Sequence, residues 1–150
     1  MIEKVGKFFA NLLLVLVALN FIVVMSRYLL GIGQPALQEL ILYLHAVIFL
    51  GCAAWAYQDD EHVRVDIFYR DSSPSLKKKI NFFGAVFLLL PTLIVTGFYS
   101  IDFVIASWEI TEASTEPGGL PFVYLQKTIL FLFPVFLSLA FIKEVASGWK

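Results

Sequence analysis

Charge is absent, but for one lysine, from four long stretches of the chain. Positions 8–26 and 40–58 run 19 residues each without a charge, 80–101 runs 22, and 120–142 runs 23 with Lys127 as its one charge. Each is long enough to cross a hydrocarbon core of about 30 Å at about 1.5 Å per helical residue. A backbone in lipid must satisfy its own polar groups, so runs of this length are helices. The alternating segments of about ten residues that mark a membrane barrel are missing. The pattern predicts an all-α integral membrane protein: one four-helix domain over 1–150, with spans near 8–30, 37–58, 74–108 and 120–143. Lys4 and Lys7 ahead of the first run resemble the start of a signal peptide. That run is too long for such a segment and lacks a small-x-small site before Arg27, so a retained first span is expected.

The breaks between runs carry their own signals. Gly31, Gly33 and Pro35 mark a short turn between the first two spans. Ser73-Pro74 has the form of an N-cap followed by proline at the first helical position. A helix beginning there need not stop before Trp108, which gives roughly 35 residues and about 50 Å. Tilt or protrusion must absorb the excess over the bilayer, and Pro91 is the expected kink. Pro117-Gly118-Gly119-Leu120-Pro121 reads as a fixed turn leading into the fourth span.

Composition narrows the class. The chain is 59% hydrophobic and only 15% charged, against about 25% charged in a soluble domain. Its 11 Lys+Arg balance 12 Asp+Glu, which excludes a nucleic-acid binder, and a single cysteine excludes a disulfide framework. With four spans, both termini share one side with the loop at 59–79. That side holds nine of the 11 cations and the other only Arg27 and Lys127. Both termini are therefore expected in the cytoplasm.

Candidate chemistry is sparse. No span carries a charge at its midpoint, and no nucleophile–base pair or metal cluster appears, so neither an enzyme nor a solute pathway is indicated. Arg27 and Glu39 flank the first turn at similar depth and are expected to pair or to reach the headgroups separately. His45 is expected to be buried and bonded to a neighbouring backbone, and Asp102 to sit at the outer boundary. His62 and Asp66 lie four apart among Asp59, Asp60, Glu61 and Arg64, but one histidine makes a weak metal site and a solvated edge is expected. Val63, Val65, Ile67, Phe68 and Tyr69 could hold this stretch against the membrane as a short interfacial helix, with Lys77, Lys78 and Lys79 meeting anionic headgroups. The outer loop holds Glu109, Glu112 and Glu116, and Lys127 is placed to reach Glu112 or Glu116. Gly51, Ala53, Ala54 and Ala56 would let another helix approach span two closely.

Several of these residues fall in a recognisable order. Asn20 through Arg27-Tyr28, then Gln38-Glu39-Leu40, Phe49-Leu50-Gly51, and His62-Val63-Arg64-Val65-Asp66 resemble the small membrane subunit of TRAP (tripartite ATP-independent periplasmic) transporters. Glu112-x-Ser114 and Gly118-Gly119-Leu120-Pro121, followed by Lys127, resemble its pattern before span four. One departure is the acidic Asp59-Asp60-Glu61, where relatives commonly carry a base. The resemblance implies a bacterial inner-membrane complex with a large multi-span transport subunit and a periplasmic substrate-binding protein. That complex would take up an organic acid or similar solute, with sodium bound on the large subunit and no cofactor on this chain. Arg27, Tyr28, Glu39, Gly51, His62, Arg64 and Asp66 would then be motif or interface positions. Glu109, Glu112, Glu116, Gly119, Pro121 and Lys127 would be docking candidates. Two other readings remain at this point: a self-sufficient four-helix transporter acting as a homo-oligomer, for which the first span lacks the required acid, and a haem-binding electron-transfer subunit, for which His45 and His62 lie on opposite sides.

Overall fold

The computed structural model describes residues 2–59, 61, 69 and 72–147. Within them lie four helices long and apolar enough to cross a membrane. They are α1 (Ile2–Leu30), α2 (Pro35–Gln58), α3 (Pro74–Glu109) and α4 (Val123–Ala146). The expected interfacial helix, and with it His62, Arg64 and Asp66, falls outside the described residues.

The helix ends follow from local chemistry. Pro35 and Pro74 each open a helix, where a missing N–H costs nothing. The Ser73 hydroxyl accepts the Leu76 N–H at 3.3 Å, the expected cap. Gly31, at φ +67°, lets the chain reverse after α1. α3 ends in a Schellman motif, in which Thr111 N–H donates to Trp108 O and Glu112 N–H to Ser107 O. The left-handed position there is held by Thr111, at φ 44°, rather than by glycine. α4 begins at Val123, three residues later than the apolar run suggested. The reason is that Ser114 N–H donates to Leu120 O and Gly119 N–H to Glu116 O, which keeps residues 114–120 in the loop. The latter bond closes a turn with Pro117 second and Gly118, at φ +78°, third, the pattern of a type II turn.

α3 is 36 residues long, about 54 Å at 1.5 Å per residue. Its irregularity is a π-helical turn at Ala85–Leu89, where Leu90 N–H donates to Ala85 O. Pro91 lacks an N–H and its ring crowds the carbonyl of residue 87, so the ladder widens just before it.

The four helices form an open row rather than a closed bundle: α1 packs on α2, α2 on α4, and α4 on α3. The α1 seam is Phe9, Leu12, Leu16, Leu19, Val23 and Ser26, alternating steps of three and four, the spacing of nearly antiparallel helices. Leu93, Ser100 and Ser107, seven apart, are the buried face of α3. They meet α4, whose buried positions are Pro134, Leu137 and Ala140. Small residues set the closest approaches. A Cβ on Gly6 would lie 2.5 Å from Trp55 Cβ, and one on Gly51 would collide with the Phe9 ring. Both flat faces of the row stay open, with Leu14, Phe21, Phe49, Phe87, Leu88 and Phe98 each 64–76% exposed.

Candidate functional site

A cluster of polar contacts joins the loop at 110–122 to the spans at the end of the row that carries the α1–α2 turn. Glu39, just past the first turn of α2, is the anchor. Its carboxylate accepts the Ser114 hydroxyl on one oxygen and, at 2.6 Å, the Leu120 N–H on the other. Gly119 must be glycine for this fit, because a Cβ there would come 2.8 Å from the Glu39 carboxylate and closer still to Ser114. Ser114 also accepts the Glu116 N–H at 3.0 Å, so one hydroxyl ties the loop both to itself and to α2.

A second link joins the loop to α4. Lys127 Nζ lies 2.5 Å from Glu112 Oε2, with both side chains about three-quarters covered, and 4.0 Å over the Phe103 ring. The Lys127 hydrogen bond holds the Glu112 carboxyl below its ordinary range. The Glu112 carbonyl accepts Val123 N–H, which fixes the entry to α4. Beside this pair, Trp108 Nε1 donates to Thr128 Oγ1 at 2.9 Å, and its ring meets Tyr124 edge-on at 4.6 Å. The loop is thus a rigid cap stitched to α2, α3 and α4.

Of the two outcomes expected for Arg27 and Glu39, pairing is not the one found, and the expectation for His45 is corrected. Arg27 and Glu39 do not pair: both Glu39 oxygens are taken by the loop, and Arg27 is exposed. Backbone donors and a hydroxyl can satisfy a carboxylate as fully as a guanidinium while fixing the loop as well. His45 is not buried. It is exposed, with its ring stacked on Phe49 at 6.3 Å, because the α1 and α4 contacts of α2 use its other sides.

The remaining candidates separate cleanly. Glu39, Glu112, Gly119 and Lys127 are brought together in the cap. Glu109, Glu116 and Pro121 stand exposed around it, and Tyr28 is 80% exposed beside Arg27. Gly51 lies at the opposite end, against Phe9. The bond from Ser114 to Glu39 crosses 75 positions and had no periodic signal; only the Glu-x-Ser spacing marked the residue. Trp108, Tyr124 and Thr128 were also missed, since they read as ordinary span residues. Among the described residues, no group of three or more His, Cys, Asp or Glu is placed to hold a metal.

A family model described as the DctQ component of tripartite ATP-independent periplasmic transporters matches residues 16–150. Comparison with curated proteins and with solved structures gave no match. The match takes in the second half of α1, all of α2, α3 and α4 and the whole cap, so the chain belongs to the DctQ component family of tripartite ATP-independent periplasmic transporters.

Proposed function

We propose that the chain braces the large transport subunit of a TRAP transporter and that its cap adds to the surface on which the periplasmic substrate-binding protein docks. As a transporter component it is not an enzyme. The observation that carries the reading is the open row: four spans with no closed interior and with large apolar side chains bare on both faces. Such a layer offers a solute no polar route, yet it presents a broad wall to another membrane protein. A polar recess of about 560 Å³ lies at the other end, among Gln58, Asp59, Glu61, Asn81 and Glu144. These residues belong to helix ends and the adjoining loop, not to the middle of the spans.

In this proposal both termini are cytoplasmic in a bacterial inner membrane, because nine of the 11 cations fall, in the sequence, in the terminal segments and the 59–79 stretch. The cap then faces the periplasm, with Glu109, Glu116, Arg27 and Tyr28 exposed at that level. Uptake of an organic acid or similar small solute would be driven by sodium bound on the large subunit. His62, Arg64 and Asp66 remain motif positions by resemblance, with interface roles proposed for them.

The test is reconstitution. This chain should co-purify with a co-expressed large subunit, and liposomes should accumulate solute under a sodium gradient only when both and the binding protein are present. Accumulation by this chain alone would overturn the reading. Arg27→Glu should weaken assembly, and a second change, Glu39→Arg, should not restore it, because the two side chains do not meet.

A further inference from the structure

The first turns of α3 differ from the rest of the membrane layer. The segment Pro74–Gly84 makes no extensive contact with another span among the described residues; its main neighbour is the π-helical turn that continues it. A 36-residue helix exceeds the hydrocarbon core by about 24 Å, so part of α3 must stand in the headgroup layer or beyond. Three successive lysines, Lys77, Lys78 and Lys79, ring the helix one turn from its start. Lys77 lies 5.0 Å over the Tyr69 ring. Lys78 and Lys79 are exposed, and no carboxylate among the described residues pairs with either.

Helical spacing places Phe82 one turn beyond Lys78 and Phe83 one turn beyond Lys79, on the same open face. Phe82, Phe83 and Phe87 are 48%, 56% and 66% exposed. Phe82 and Phe83 meet edge-on at 5.9 Å, and Phe83 stacks on Phe87, also at 5.9 Å. The order along the helix is therefore cationic ring, then aromatic track, then apolar span. This order matches a phospholipid lying along the helix: phosphate first, acyl chain after.

We propose that an anionic phospholipid binds along the start of α3, its phosphate between Lys78 and Lys79 and an acyl chain over Phe82, Phe83 and Phe87. Which leaflet supplies it rests on the proposed orientation; the site itself does not. Charge decides against a zwitterionic lipid, since two unpaired ammonium groups at one level favour a net negative headgroup. Each lysine near an anionic surface strengthens binding about fivefold, so the pair contributes a preference of about 30-fold at low salt.

The experiment uses the full chain in lipid nanodiscs. A fluorophore is placed on Cys52→Ser/Val86→Cys, beside the aromatic track, and quenched by lipids brominated on the acyl chain. Brominated phosphatidylglycerol should quench at several-fold lower mole fraction than brominated phosphatidylcholine. Lys78→Gln/Lys79→Gln should erase the difference, Lys78→Arg/Lys79→Arg should keep it, and high salt should shrink it in the parent. Equal quenching by both lipids with the lysines in place overturns the proposal, as does no quenching by either, which would mean that protein or water covers the track. Circular dichroism of each variant checks that the helices persist. Assembly with the large subunit is read separately by co-purification, so either idea can fail without the other.

Discussion

At the scale of single residues, the cap depends on one carboxylate. Removing Glu39 leaves the Leu120 N–H and the Ser114 hydroxyl without their acceptor. Glu39→Ala should therefore cost about 1–3 kcal/mol, seen as a lower thermal midpoint in detergent and faster proteolysis within 110–122. Thr111 makes the opposite case. A β-branched side chain at φ 44° occupies a conformation that costs L-residues roughly 1–2 kcal/mol. Thr111→Gly should leave the midpoint unchanged or raise it, whereas glycine inside a helix costs about 1 kcal/mol. Glu112 contributes to the acid sensitivity. Its folded carboxyl lies below the ordinary value of 4.5 because of Lys127. The stability it contributes is present above that unfolded value and is lost as pH falls through the folded one. Lys127→Met should make the acid limb of a melting-versus-pH curve shallower below about pH 4.5 while leaving the neutral region level. None of these partnerships was open to spacing arguments except the reach of Lys127 toward Glu112, which four residues of helix made geometric.

At the scale of elements, the apolar runs located all four helices, because in lipid a long uncharged segment has no other way to pair its backbone. Ends were legible where proline or a capping hydroxyl marked them, as at Ser73-Pro74. They were misread where a loop stays apolar, as at Leu120-Pro121-Phe122. Pro91 was expected to kink the helix; the irregularity found beside it is a π turn at Ala85–Leu89, which the apolar pattern does not mark. The small residues of α2 were legible as a contact stripe, and Phe9 as the partner of Gly51 was not. Gly51→Leu would drive a side chain into that ring. It should cost about 1–3 kcal/mol as overpacking and separate α1 from α2, measurable as loss of a crosslink between cysteines placed across the pair.

At the scale of the whole molecule, composition and run length by themselves determined a four-span membrane protein with one strongly cationic end. Transfer of apolar side chains and backbone pairing act locally and leave a readable pattern. The tertiary structure alone decided that the spans stand in the order α1, α2, α4, α3 with both faces open, that Glu39 serves the loop and not Arg27, and that His45 faces outward. Neighbour choice turns on small-residue contacts and on hydrogen bonds across as many as 85 positions. In lipid every apolar face is equally greasy, so the pattern of a run shows that a helix spans but not which side of it another helix will cover.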